Sequence, residues 1–86
     1  MTLLEIQNRN YTATVRRGLI NPKTTKGEFC DKMIEEVNEL FNHTDSENEA
    51  EELADIITVC LCYAKHYNID FMNALRKVTI KNENRK

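Results

Sequence analysis

This chain of 86 residues has almost no proline and almost no glycine, one and two residues respectively. That scarcity argues against a turn-dense β architecture, where such residues punctuate every strand. The single proline, Pro22, falls between two helical patterns. No apolar run approaches the ~20 residues of a membrane span. The apolar residues near Met1 are interrupted by Glu5, Gln7, Asn8 and Arg9, which is not the pattern of a secretory leader. Three cysteines cannot all pair within one chain, so the expectation is a cytoplasmic protein with reduced thiols. The length allows one domain, residues 1–86, and a chain this short buries too little surface to be more than marginal alone.

Charge is plentiful but unevenly placed. The net charge of -2 argues against nucleic acid as a partner. Residues 28–55 hold 11 of the 14 acids, opposed there only by Lys32. Basic residues flank this middle, including Arg16, Arg17 and Lys26 before it and Arg76, Lys77 and Lys81 after it. An acidic centre between basic ends suits a metal site facing phosphate-binding groups. Most of these acids also suit a solvated helical face.

The patterning predicts an all-α protein of four helices. The first runs from about Thr2 to Arg17, with Thr2 and Glu5 as a capping box and Gly18 as the stop. Its apolar stripe is thin: Leu3, Leu4, Ile6, Tyr11 and Val15. The second runs from about Gly27 to Phe41 behind a Thr25/Glu28 box, with Phe29, Met33, Ile34, Val37, Leu40 and Phe41 at helical spacing. The third runs from about Glu47 to Tyr67 behind Ser46 and Glu49. The fourth follows Asp70 as N-cap, with Phe71, Leu75 and Val78 on one stripe, and a polar tail after Ile80 is expected to fray. The short link around Asn42 to Asp45 makes the second and third helices antiparallel neighbours.

Two acid pairs lie at matching heights on that hairpin. Glu36 and Glu39 stand three apart, as do Glu52 and Asp55, so each pair projects from one side of its helix. At ~100° per residue, Glu52 falls between Val59 and Tyr63, inside an apolar arc, and Glu36 borders the arc beside Met33 and Leu40. Carboxylates on a buried face need something positive to meet them. Oxygen-only ligands favour Mg²⁺, Mn²⁺ or Ca²⁺ over zinc or iron, and Mg²⁺ commonly binds carboxylates together with substrate phosphates. Pairing with Lys or Arg on a neighbouring helix is the alternative for any single acid. A di-iron bundle site needs Glu with His three residues on, and neither His43 nor His66 stands so. Both read as surface or helix-end residues.

Glu36-x-x-Glu39, twelve residues, then Glu52-x-x-Asp55 resembles the acidic signature of the all-α nucleoside triphosphate pyrophosphohydrolases. The flanks Lys-Met-Ile-Glu-Glu-Val-Asn-Glu-Leu and Glu-Glu-Leu-Ala-Asp-Ile-Ile resemble the MazG-like branch over roughly Lys32 to Arg85. That resemblance implies a four-helix protomer and Mg²⁺-dependent cleavage of a nucleoside triphosphate to monophosphate and pyrophosphate by a metal-activated water. Glu36, Glu39, Glu52 and Asp55 are then the metal ligands, and Glu35 supports a ligand or acts as base. Lys32 lies on the Glu36/Glu39 side of the helix, where it can orient a carboxylate or touch phosphate; a simple i,i+4 ion pair with Glu36 is the favoured reading. Asn82 and Arg85, with Lys81 nearby, match the end of a family pattern that contacts phosphate, although Val78 stands where that pattern has Lys.

Ample apolar faces on the second and third helices suggest a homodimer or homotetramer. Cys30, Cys60 and Cys62 read as small core residues, and Tyr63 and Tyr67 as inner-face packing. Tyr11, Arg16 and Arg17 of the first helix suit a base pocket or a subunit contact. Phosphoribosyl-ATP pyrophosphatase, of the same superfamily, and a non-catalytic helical interaction module remain as alternatives.

Overall fold

The computed structural model describes residues 1–42 and 46–85, leaving aside the side chains of residues 46 and 47. Four helices are present, α1 (Leu3–Arg16), α2 (Lys26–Asn42), α3 (Ser46–His66) and α4 (Phe71–Glu83), with no strand among the described residues. Their starts follow the capping chemistry of the sequence. Thr2 Oγ1 accepts from the Glu5 amide and Glu5 Oε1 from the Thr2 amide, at 3.1 and 3.2 Å. Thr25 and Glu28 make the same reciprocal pair at 3.2 and 3.1 Å. Asp70 caps α4 by accepting from the Asn73 amide. Gly18 ends α1 at a φ of 78°, a conformation that costs a residue without Cβ little. The expected Ser46/Glu49 box, the link at residues 43–45 and His43 lie outside the described residues.

α4 departs from expectation at its end. It continues past Ile80 to Glu83 and closes with Asn84 as C-cap, because no Gly or Pro interrupts Lys81-Asn82-Glu83.

α1 and α2 both pack on α3, whereas α4 makes only slight contact with the rest. The apolar core sits toward the C-terminal end of α3, where Ile20, Phe29 and Cys62 are buried with Tyr11, Val59, Tyr63 and Tyr67 against them. Phe29 meets Tyr63 and Tyr67 edge-on, at ring separations of 5.6 and 6.0 Å. Polar ties hold the same end. Gln7 is buried and its Nε2 donates to the Leu61 carbonyl at 2.8 Å. Tyr11 Oη and His66 Nδ1 share a hydrogen bond of 2.8 Å, and Tyr67 Oη donates to the Thr24 carbonyl at 2.9 Å. His66 therefore ends α3 as expected, but half-buried rather than on the surface.

Much of the apolar patterning is not in this core. Ile34, Val37 and Phe41 of α2 are exposed, Phe41 to 87%, as are Leu53 and Ile57 of α3. Cys30 lies on the same outward side of α2 and is exposed, contrary to the core position its residue type suggests. At ~100° per residue these α2 side chains stand roughly a third to nearly half a turn round from Glu36. No helix among the described residues is long and apolar enough to cross a membrane.

Candidate metal centre

The acidic end of the hairpin is arranged differently from the aromatic end. Glu36 is 6% exposed and Glu52 8%, so two carboxylates are as deeply buried as the apolar core. Their place on the apolar arcs explains the burial: packing α2 on α3 carries Glu36 inward with Phe29, Met33 and Leu40, and Glu52 with Val59 and Tyr63.

Glu36 is the common member of two groups. One oxygen each from Glu36, Glu52 and Asp55 lie within 4.8 Å of one another, and so do oxygens from Glu35, Glu36 and Glu39. The four residues of the two i,i+3 pairs thus converge around a single buried carboxylate. Lys32 Nζ lies 3.0 Å from Glu36 Oε1 and 3.3 Å from Glu35 Oε1. Glu36 Oε2 is buried with no hydrogen-bond partner. An orphaned carboxylate oxygen in the interior is costly, and one ammonium does not balance this many acids.

The proton affinities report the same shortage of positive charge. Glu39 is held above the ordinary carboxylate range, first by a hydrogen bond with Glu52 and then by the negative charge of Glu36. Asp55 is raised by burial and then by the charges of Glu36 and Glu52. The Lys32 ammonium is also raised, chiefly by its hydrogen bond to Glu36, against the burial that works the other way. Carboxylates raised in this way disfavour one another's charged form, and a dication relieves that. All donors are oxygens, three can reach one point, and one oxygen has no partner. These residues fit a hard divalent cation such as Mg²⁺ or Mn²⁺.

A groove of about 840 Å³ opens beside the carboxylates. It runs from Glu36 and Asp55, past Lys32, to Thr14 of α1 and Arg17, the C-cap of that helix. That volume is of the size that takes a small organic ligand. Burial holds the thiol of Cys62, which lines the groove, above its ordinary value, so it is a poor nucleophile.

The other residues singled out in the sequence distribute as follows. Glu35 is exposed and paired with Lys32. Lys81, Asn82 and Arg85 are exposed on α4 and just beyond it, and do not line the groove. Arg17 lines the groove, while Arg16 faces a separate, shallower hollow beside Arg9. Sequence reading passed over Asn10, Thr14 and Thr58, which also line it. A signal for the first two existed: Gln7, Asn10, Thr14 and Arg17 form a polar stripe at helical spacing on α1, which is why the apolar stripe of that helix is thin.

Neither a curated protein nor a solved structure matches the chain. The MazG nucleotide pyrophosphohydrolase domain matches residues 24–86, from the turn before α2 to the end of the chain, and includes every carboxylate of the centre. α1 lies outside that match. With the acid pairs gathered on the α2–α3 hairpin and the match covering most of its length, the chain belongs to the family of MazG nucleotide pyrophosphohydrolase domains.

Proposed function

We propose that this chain is a Mg²⁺- or Mn²⁺-dependent enzyme that hydrolyses a nucleoside triphosphate between its α and β phosphates. The observation that carries this reading is buried Glu36, with one oxygen on Lys32 and the other without a partner, at the meeting point of both carboxylate groups. Glu36, Glu39, Glu52 and Asp55 hold the cation. A bound dication supplies Lewis-acid polarisation of phosphoryl oxygens and a lowered pKa of water.

The protein's own residues do the remainder. Glu35, exposed at the groove, accepts a proton from the attacking water. The water oxygen bonds to phosphorus, the bridging P–O bond breaks, and pyrophosphate leaves. Lys32 stands at the groove beside the position where negative charge accumulates. The nucleoside lies along the groove toward Thr14 and Arg17, and Lys81 and Asn82 of α4, with Arg85 just beyond it, meet phosphates by closure of that helix or from a second copy.

A homodimer accompanies this reading. Ile34, Val37, Phe41, Leu53 and Ile57 of the hairpin are exposed large apolar residues in a small protomer, and symmetric pairing is a usual way to cover such residues.

The test is pyrophosphate release from a panel of nucleoside triphosphates, with phosphoribosyl-ATP included, in Mg²⁺ and in EDTA, for wild type and Glu52→Gln. Release that needs Mg²⁺ and disappears in the variant is expected. Release unaffected by EDTA would sink the metal reading, and turnover of phosphoribosyl-ATP alone would reassign the substrate.

A further inference from the structure

Lys32 supplies the one ammonium that meets these carboxylates among the described residues. It reaches a buried partner from an open position: its side chain is 50% exposed and that of Glu36 only 8%. Glu35 and Glu39 of α2 and Glu52 and Asp55 of α3 surround the same point. Glu36 cannot easily serve two cations. A dication bound to it at ~2.1 Å would stand within about 5 Å of an ammonium held on the same carboxylate, and like charges at that separation repel strongly. The dication is fixed by several ligands, whereas the ammonium rides on a flexible four-carbon stem, so the ammonium is the one to move. The groove lies beside it and is lined by Lys32, Glu36 and Asp55 alike.

We infer that Lys32 is a displaceable counter-ion, which neutralises Glu36 until a divalent cation binds, then leaves that carboxylate and extends into the groove to meet the phosphates of the substrate. The inference rests on the cation reading proposed above and adds an order of events to it. Cation binding releases the ammonium, and the released ammonium is a compact point charge suited to phosphate. Phosphate binding through Lys32 thus waits on an occupied centre, and Lys32 is a positioning residue before it is a binding one.

The test is calorimetric titration of Mg²⁺ into the nucleotide-free protein, for wild type and Lys32→Met, with thermal melts in EDTA and in Mg²⁺. Methionine keeps most of the stem and removes the charge. In EDTA the variant is expected to melt below wild type, since Glu36 has lost its counter-ion, and Mg²⁺ should restore it. Its Mg²⁺ affinity should rise about tenfold, as removing one competing charge-assisted hydrogen bond implies. Equal or weaker binding by the variant overturns the inference, because Lys32 then does not compete with the cation for Glu36. A second measurement uses wild type, in case the variant does not fold. The ¹⁵N signal of the Lys32 ammonium, assigned with Lys32→Arg, should be sharp in EDTA and shift or broaden on saturation with Mg²⁺. An unchanged signal in a protein shown to bind Mg²⁺ overturns the inference alone. No binding of Mg²⁺ or Mn²⁺ to either folded protein overturns the cation reading and this inference with it.

Discussion

On the inward side of the α2–α3 hairpin, Glu36 and Glu52 are buried; further round the same helices, Ile34, Val37, Phe41, Leu53 and Ile57 are open to solvent. Burial ordinarily sorts side chains the other way. Both departures are unfavourable in the isolated protomer, and they differ in kind. The buried acids crowd one another with a single ammonium paired to Glu36, and a small cation would relieve that repulsion. Exposed aliphatic residues lack cover, which only another surface supplies. The fold tolerates both because its own anchoring is elsewhere, at the aromatic end around Phe29, Tyr63 and Tyr67. On the proposed reading, the hairpin has one face made for an ion and another made for a copy of itself.

That division can be broken at each face in turn. The largest effect is expected from Glu52→Gln, which should lower turnover by more than about 100-fold, since even residues that merely support a metal ligand commonly cost 10–100-fold. Its melting temperature in EDTA should equal or exceed that of wild type, because one repelling charge is gone. A lower one would mean that Glu52 is a structural group. Phe29→Ala attacks the anchoring end instead. It should cost about 3–5 kcal/mol, a large part of the stability of so small a domain, and denaturant titration should register it with or without Mg²⁺.

The outer face is broken by Ile34→Glu combined with Ile57→Glu. Sedimentation should then report the mass of one chain in place of two, and a protein that is monomeric before substitution would end the dimer proposal.

The smallest effect sharpens the inner face by pH. Glu39 and Asp55 have folded-state values above their ordinary ones, so the folded chain binds more protons than the unfolded one between those limits. Their contribution to stability is therefore present below the ordinary carboxylate range, at about pH 4, and is lost as pH rises through the raised values. In EDTA the melting temperature should climb as pH falls through the raised values. Saturating Mg²⁺ should flatten or reverse that slope, since cation and protons compete for the same oxygens.

Much of the inner face was legible in the sequence. Reciprocal capping pairs at Thr2/Glu5 and Thr25/Glu28 mark helix starts through local hydrogen bonds that need no tertiary context. The burial of Glu52 follows from its place between Val59 and Tyr63 on the wheel. What escaped depends on which side of a helix finds a neighbour. Cys30 belongs to the apolar pattern of α2, yet α3 covers the side of that helix carrying Glu36 instead. The polar stripe of α1 reads as a weak helix until α3 offers Gln7 a carbonyl and the groove takes up Asn10 and Thr14. The extent of α4 was underestimated because polar composition suggests fraying, although nothing between Lys81 and Glu83 breaks a helix.

The attachment of α1 separates what holds the helix from what the helix lines. It is fastened at the aromatic end through Gln7 and Tyr11, away from the carboxylates, and it lies outside the stretch matched by the family. It nevertheless forms one wall of the groove. On the proposed function, the hairpin carries the chemistry and α1 walls the groove on the side of the nucleoside. On that reading, substitutions at Asn10, Thr14 or Arg17 redirect substrate choice while the carboxylates of the hairpin stay untouched.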